Sequence, residues 1–265
     1  MHAAQLPETR SPPPHFEPAG EPRSRAEARC DRAPASTDLV RVFEADPDLL
    51  GDLDPATGDL LRRRAVAPKL WIDPGPWSPP APRHEREWFG LLVLGGLIMR
   101  SVRLDDRDSP EIIGAGDLLR PWDPDQNISI RASISWAALE RTTVAVLDEQ
   151  FAGIICRWPR IVSGLLARSA DYSRTLAFQR AIMHVRRAEI RLHMLLWHLA
   201  DRWGRVTPHG VHLPLALTHE TLAQLSCIRR PTASTALQVL TRTGELERRR
   251  DGTWLLKGTP PSSAG

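Results

Sequence analysis

Cysteine is scarce in this sequence, and its three copies are far apart. They are Cys30, Cys156 and Cys227. No two of them have the short spacing of metal ligands, and three thiols cannot form a disulfide framework. We therefore expect neither stabilisation by disulfides nor a metal site held by cysteines.

Long apolar runs are absent as well. The longest, Leu91 to Met99, is too short to span a bilayer. The beginning of the chain is charged and rich in proline, without the apolar core of a signal peptide. These absences predict a cytoplasmic protein with no membrane partner.

The sequence also lacks the common catalytic signatures. It contains no GxSxG, no P-loop motif and no HExxH. His184, His193 and His198 share one helical region, but no two of them have the i, i+4 spacing that places two metal ligands on one helix face. We predict no enzyme, no metal and no cofactor.

What is present is an ordinary soluble composition with a small positive charge. The 265 residues are 42% hydrophobic and 25% charged, and the net charge is +3. Two modest domains fit this length. Arginine supplies nearly all the positive charge, because the only lysines are Lys69 and Lys257. Such a balance permits nucleic-acid binding without requiring it.

The clearest pattern, in residues 217–257, predicts two helices at an angle followed by a hairpin. Thr218 can cap the first helix, because its hydroxyl can accept a hydrogen bond from an unpaired N–H of the first turn. Leu222 and Leu225 then fall on one face of that helix. Ala223 lies between them and is small enough for a second helix to cross closely.

Proline and glycine bound the second helix. Pro231 is tolerated only in a first turn, and Gly244 suits the position just past a helix end. The helix between them, Thr232 to Thr243, would turn four side chains inward: Ala233, Ala236, Leu237 and Leu240. Asp251-Gly252 is a strong turn signal, so residues 246–257 would form the hairpin, or wing.

A winged helix-turn-helix of this kind reads DNA. The second helix would enter the major groove by its N-terminal end, where an arginine can bond both acceptors of a guanine edge. The wing would neutralise phosphates. Residues 218–258 hold seven arginines and lysines against four carboxylates. The predicted contact residues are Thr218, Arg229, Arg230, Thr232, Ser234 and Thr235 in the helices and Arg248, Arg249 and Arg250 in the wing.

This segment resembles the C-terminal domain of the Crp/Fnr family of bacterial transcription regulators. The family pattern of Leu-Thr, Leu-Ala-x-Leu, Arg-x-Thr-x-Ser, Leu-x-x-Leu and a glycine runs without a gap from Leu217 to Gly244. The resemblance implies that Arg230 is the base-reading arginine. Three positions depart from the pattern, so the DNA sequence read by the best-known members is not assumed: Cys227 stands where glycine is usual, Pro231 where glutamate is common, and Thr235 where an arginine is found.

The first half of the chain predicts helices and then strands. Residues 37–64 have the pattern of short helices interrupted at Pro47 and Pro55. Residues 73–76 predict a turn and residues 78–86 a proline-rich loop. Many short strands with regular turns indicate a sandwich or barrel, and the resemblance implies a β-roll like the cyclic-nucleotide-binding jelly roll. The predicted strands are Ala65 to Ile72, Trp88 to Leu94, Leu97 to Leu104, Glu111 to Ile113, Ile128 to Ser135 and Thr143 to Leu147.

Helices follow from Asp148. Ile161 to Arg187 predicts a long helix, which the resemblance implies is a dimer interface; the alternative is a helix packed on its own β-domain. Ala188 to Trp203 has the apolar spacing of a separate helix that supports the helix-turn-helix. Residues 204–216 predict a loop.

The resemblance also bears on a ligand in the β-roll. Cyclic-nucleotide binders of this family have a Gly-Glu-Leu segment followed by Arg-Ser/Thr-Ala. Here Gly116-Asp117-Leu118 lacks the glutamate, and Arg131-Ala132-Ser133 has the later elements in another order. We therefore expect no cyclic nucleotide and, because the family's cysteine set is missing, no iron–sulfur cluster. Residues that could bind a different effector are Arg120, Trp122, Arg131 and Ser133.

The predicted fold is an α+β chain with a disordered tail at each end, residues 1–36 and 259–265. Between them lie a β-roll sensor domain (37–158), a dimerisation helix (159–187) and a winged helix-turn-helix domain (188–258). The predicted function is a homodimeric transcription regulator that binds double-stranded DNA at a palindromic operator, with RNA polymerase and a small effector as further partners. The alternative is a ligand-binding or protein-interaction module whose winged helix does not bind DNA.

Overall fold

The computed structural model describes residues 38–80, 82, 88–105, 107–122 and 132–261. The predicted tail at 1–36 and most of the tail at 259–265 lie outside the described residues. The described residues form one compact unit. No helix in the described part of the chain has the length and apolarity needed to cross a bilayer.

The N-terminal half consists of short helices followed by strands. The chain begins with β1 (Leu39–Arg41), α1 (Val42–Ala45), a 3₁₀ turn (Pro47–Leu50) and α2 (Pro55–Arg64). The strands that follow are β2 (Val66–Ile72), β3 (Gly75–Trp77), β4 (Gly90–Gly95), β5 (Leu97–Leu104), β6 (Arg107–Gly114), β7 (Leu118–Leu119), β8 (Ser133–Ala138) and β9 (Thr142–Leu147).

The C-terminal half is mainly helical. Its three leading helices are α3 (Glu149–Ile155), α4 (Pro159–Met183) and α5 (Ala188–Trp203). The remaining elements are β10 (Arg205–Thr207), β11 (Gly210–Leu213), α6 (His219–Leu225), α7 (Arg230–Arg242), β12 (Leu246–Arg248) and β13 (Trp254–Leu256).

Two antiparallel sheets pack face to face and form the β-domain. One has the strand order β1-β2-β9-β4-β7 and the other β3-β8-β5-β6. Apolar side chains from both sheets meet in one buried cluster, which includes Leu91, Val93 and Val144 from the first and Ile98 and Ile113 from the second. The strand pattern predicted a sandwich or a barrel, and the structure shows a sandwich of two sheets.

Short strands account for most differences from the sequence prediction in this domain. β1 and β7 were not expected, and β3 occupies part of the segment predicted as a turn. β3 pairs with β8, with Trp77 opposite Trp136, and β1 pairs with β2. These strands have only two or three residues, so they have no periodic pattern and depend on partners far away in sequence.

The predicted loop at residues 204–216 is wrong. β10 and β11 form a hairpin there, and β11 also pairs with β13 of the wing, which gives a four-stranded sheet in the order β10-β11-β13-β12. Gly210 permits this pairing because its φ of 133° and its close approach to the Leu256 backbone leave no room for a side chain. Proline and glycine in this segment are typical of a loop, but Pro208 lies in the hairpin turn and Gly210 begins β11.

The long helix α4 ends earlier than predicted. Its last residue is Met183, whereas the sequence pattern extended to Arg187. The backbone then tightens, because the N–H groups of His184 and Val185 donate to carbonyls only three residues back. Arg191 of α5 donates through Nε to the Val185 carbonyl at 2.8 Å, which holds the turn between the helices.

The β-domain and the C-terminal helices share one hydrophobic core. Leu97 of β5 and Ile112 of β6 are buried in the same cluster as the inner faces of α5, α6 and α7 and Trp254 of the wing. A second cluster packs α1, α2, α3 and the start of α4 on the outer face of the first sheet. The helix-turn-helix therefore rests directly on the β5–β6 strands.

Candidate nucleic-acid interface

Helix α6 begins as the sequence predicts. Thr218 is its N-cap, and the Thr218 hydroxyl accepts a hydrogen bond from the Thr221 N–H at 3.1 Å. Leu222, Ala223 and Leu225 are buried against α7 and the wing. The cap and the apolar face together fix where α6 starts and which side it buries.

The turn after α6 contains a strained cysteine. Cys227 has a φ of 51°, the left-handed region that glycine occupies without penalty. Ser226 closes the end of α6, because its hydroxyl donates to the Leu222 carbonyl at 2.6 Å. The Ile228 N–H donates to the Ala223 carbonyl at 3.0 Å, so the backbone around Cys227 is firmly held.

We expect Cys227→Gly to raise the free energy of unfolding by up to about 1 kcal/mol, measured by urea denaturation. A side chain in the left-handed region costs about 1–2 kcal/mol, and the extra freedom of an unfolded glycine offsets about 0.4–1 kcal/mol of the gain. Cys156→Gly is the matched control, because Cys156 is also exposed but has a right-handed φ of −58°. That control should lose stability. A loss of stability in both variants would contradict the strain assigned to Cys227.

Helix α7 has one buried face and one exposed face. The buried residues are those predicted from spacing: Ala233, Ala236, Leu237 and Leu240. Arg229 is the N-cap, and Pro231 lies in the first turn, where its missing N–H is not needed. The exposed end of α7 therefore presents Arg229 and Arg230 to solvent.

Arg230 has one acidic neighbour in the protein without DNA. Its Nε lies 3.6 Å from Glu220 Oε2 of α6, and both side chains are more than half exposed, at 70% and 53%. An exposed ion pair of this kind is worth less than about 1 kcal/mol. The Arg230 guanidinium can therefore leave Glu220 for a partner that binds it more tightly.

The three predicted hydroxyl contacts of α7 have different surroundings. Thr232 and Thr235 are exposed on the same side as Pro231. The Thr235 hydroxyl donates to the Pro231 carbonyl at 3.1 Å. Ser234 lies between the faces, half-buried, and its Oγ is 3.1 Å from Nδ1 of His219.

The wing is fixed against the start of α6. Its turn is held by Asp251, which accepts from the Thr253 N–H at 3.0 Å, and by Gly252 with a φ of 83°. Trp254 is buried, and its indole N–H donates to the Leu217 carbonyl at 3.1 Å. The wing arginines Arg248, Arg249 and Arg250 are all exposed. Of these three arginines, Arg248 lies near His219 and shares a cleft with Gln238 and Arg242 of α7.

Comparison with known proteins identifies the domain that carries this surface. Residues 190–257 match the family model described as the Crp-like helix-turn-helix domain. Residues 190–257 are therefore a Crp-like helix-turn-helix domain. No curated protein sequence is similar enough to count as a match.

Solved structures share the fold of this chain. A cyclic nucleotide-binding domain containing protein from Listeria monocytogenes matches with a TM-score of 0.57 and 16% identity, covering 71% of this chain and 87% of that one. A CooA mutant from Carboxydothermus hydrogenoformans has a TM-score of 0.54 and 23% identity, with 72% and 83% covered. The c-di-GMP responsive regulator CLP from Xanthomonas campestris has a TM-score of 0.52 and 17% identity, with 77% and 100% covered.

Two of the residues predicted to bind an effector, Arg120 and Trp122, lie together, with the Arg120 guanidinium carbon 5.7 Å from the centre of the Trp122 ring. Arg120 donates from Nη1 to the carbonyls of Trp88 and Phe89 at 2.9 Å each. Trp122 packs edge-on against Trp88, with ring centroids 5.4 Å apart. Ser133 is exposed at the start of β8, and Arg131 lies outside the described residues.

A large cleft lies elsewhere, where the β-domain meets α4 and α5. Its volume is about 780 Å³, and its walls include the Gly116–Asp117 turn, Tyr172 and Phe178 of α4, and His198 and Arg202 of α5. Phe178 stacks on His198 with ring centroids 6.0 Å apart. Burial lowers the pKa of His198, so this ring is neutral at pH 7.

Two ion pairs form the floor of that cleft. Asp117 is almost fully buried; its Oδ2 accepts from the Gly114 N–H at 2.8 Å and its Oδ1 from Arg202. Burial raises the pKa of Asp117, and the Arg202 guanidinium opposes that effect. Arg168 donates to the Gly116 carbonyl at 3.0 Å and pairs with Asp46. Sequence reasoning noted Asp117 only as a missing glutamate, because its partner Arg202 is 85 positions away.

Proposed function

We propose that this Crp/Fnr-type transcription regulator binds a palindromic DNA operator as a homodimer through α7 and the wing. The observation that carries the proposal is the exposure of Arg229 and Arg230 at the start of α7 and of three arginines in the wing, all on a Crp-like domain. Arg230, with Arg229 beside it, would bond base edges in the major groove. Thr218, Thr232, Ser234 and Thr235 would contact phosphates or base edges, and Arg248, Arg249 and Arg250 would contact the backbone.

The proposed dimer would form along α4. This helix has 25 residues and is therefore about 37 Å long. Leu166 and Phe178 are 59% and 65% exposed on it, although apolar side chains of this size are usually buried. A two-fold partner packed along α4 would cover such residues and present two copies of α7 to successive turns of the DNA.

Control by a small effector is a further part of the proposal. The cleft between the β-domain, α4 and α5 has the volume of a typical ligand pocket and contains aromatic and charged walls. An effector bound there would contact both the β-domain and the helix that supports the winged unit. RNA polymerase is the expected protein partner at a promoter, and the protein would work in the cytoplasm.

A salt titration tests the DNA-binding proposal. Changing Arg248, Arg249 and Arg250 together to Gln should weaken binding to all sequences and lower the slope of log K against log salt by up to about 2.7, because each phosphate contact contributes about 0.9. The matched control changes Arg62, Arg63 and Arg64 at the end of α2 to Gln. This control removes the same charge far from the wing, so its slope should equal that of the unchanged protein.

A second experiment selects the sequences that the purified protein binds from a pool of random DNA duplexes. The selection and the salt titration together have three informative outcomes. A two-fold symmetric motif with half-sites about one helical turn apart would support the dimeric reading. If the slope of log K against log salt is the same for both triple variants, the wing arginines do not contact the DNA backbone. No salt-sensitive DNA affinity, with or without candidate effectors, would favour the protein-interaction alternative.

A further inference from the structure

His219 lies where the two helices of the DNA-binding unit meet the wing. It is the first residue of α6, and its Nδ1 is 3.1 Å from the Ser234 hydroxyl oxygen in the first half of α7. Its ring lies 6.1 Å from the ring of Trp254, tilted by 31°. One side chain therefore touches α6, α7 and the wing.

Few other polar contacts tie α7 to its neighbours. The buried face of α7 consists of alanines and leucines. Their apolar contacts are strong but not directional, so they do not by themselves fix the rotation of α7 against α6. A small cleft of about 260 Å³ lies between α7 and the wing, and His219, Gln238 and Arg248 are among its walls. The His219–Ser234 hydrogen bond crosses this junction, so it can set the rotation of α7 against α6 where packing alone leaves room.

The charge environment keeps the ring neutral in the free protein. Burial lowers the pKa of His219, and the nearby Arg248 and Arg230 guanidinium groups act in the same direction. Glu220 is the adjacent carboxylate, but it pairs with Arg230. A neutral ring can accept from the Ser234 hydroxyl or donate to it, depending on its tautomer, so the bond forms either way.

We propose that His219 is a positioning residue for sequence discrimination, acting through Ser234 to hold α7 at the angle that lets Arg230 bond a base edge. The inference rests on the proposed DNA-binding function. Bidentate recognition by arginine depends strongly on geometry, so a small rotation of α7 would cost discrimination more than general affinity. Phosphate contacts by the wing would tolerate that rotation.

The test compares four variants on two DNA duplexes, the preferred site and the same site with one changed base at the position read by Arg230. The variants are His219→Ala, His219→Asn, Ser234→Ala and the double change of His219 and Ser234 to Ala. Asn places an amide where Nδ1 stands, so it can keep the bond to Ser234. Binding constants and thermal unfolding are measured for each variant.

We expect His219→Ala to lower the ratio of affinities for the two duplexes about three- to tenfold, the range of one lost hydrogen bond. Ser234→Ala should give a similar loss, and the double variant should be no worse than either single one, because all three remove the same interaction. His219→Asn should restore discrimination to within about twofold. Affinity for a random duplex should change little in His219→Ala and His219→Asn, which leave every proposed DNA contact in place.

Specific outcomes would overturn the inference. If His219→Ala discriminates as well as the unchanged protein, or if Asn fails to restore discrimination while both variants melt at the same temperature, His219 does not position α7. If His219→Ala does not fold, Ser234→Ala decides the question, because a folded Ser234→Ala variant that discriminates as well as the unchanged protein would sink the proposal. An unchanged protein that shows no preference between duplexes would instead refute the proposed function.

Discussion

Replacing Asp117 with alanine should lower the free energy of unfolding by about 3 kcal/mol, one of the largest effects expected from a polar side chain in this protein. Asp117 is only 1% exposed and accepts from both the Gly114 N–H and Arg202. Removal of one partner from a buried ion pair costs about 3–5 kcal/mol, because the other charge is left uncompensated. The Arg202 side chain is 26% exposed, which places the expected loss at the lower end. Urea denaturation gives the value directly.

Asp108→Ala is the matched control for this measurement. Asp108 also pairs with an arginine, and Arg103 makes two hydrogen bonds to it at 2.7 and 2.8 Å. Both side chains are well exposed, at 60% and 41%, so solvent screens the pair and its loss should cost much less stability than the loss of the Asp117 pair. If Asp117→Ala and Asp108→Ala lower the free energy of unfolding equally, burial does not increase the contribution of the Asp117 pair to stability.

Arg230→Ala should reduce discrimination between the preferred site and a single-base variant about 10- to 100-fold. A bidentate arginine–guanine pair is worth about 1–3 kcal/mol of discrimination against the wrong base. General affinity should fall much less, because the wing arginines and the hydroxyls of α7 remain. Competition binding with the two duplexes at one fixed salt concentration measures the ratio.

Two further variants test whether the loss of discrimination is specific to the guanidinium group of Arg230. Arg242→Ala removes an arginine from the other end of α7, roughly 18 Å away at about 1.5 Å per residue, and should leave the ratio unchanged. Arg230→Lys keeps the charge without the planar fork, so it should keep general affinity and still lose discrimination. A uniform loss on all duplexes for Arg230→Ala would mean that Arg230 contacts phosphate rather than a base.

Sequence reasoning works best in this protein where the signals are local. The cap at Thr218, the first-turn Pro231 and the Asp251-Gly252 turn each act within four residues, and all three appear in the structure as predicted. The inner faces of α5 and α7 follow from helical spacing and are buried. The family pattern and the local physics agree over this part of the chain because each residue choice supports the same fold.

Features that depend on distant partners escaped prediction. The β10–β11 hairpin is stabilised by pairing with β13, more than forty residues later in the chain, so its own proline and glycine pointed to a loop. Asp117 and Arg202 form a buried pair that no spacing rule connects. The contact between His219 and Ser234 requires the relative placement of two helices, so the sequence did not single out His219. Contacts of this kind depend on how elements pack in three dimensions, and no local sequence pattern indicates them.

The burial of Leu97 and Ile112 among the helices of the winged unit limits how this protein can exchange parts with its relatives. A cut before Ala188 is natural in sequence, but a fragment that begins there would leave α5 and α6 without the strands that cover them. The exposed apolar surface would favour aggregation of the fragment. A chimaera that takes its winged helix-turn-helix from another protein of this fold should therefore also inherit the β5–β6 hairpin. The unit of recombination is set by the shared core and not by the boundary visible in the sequence.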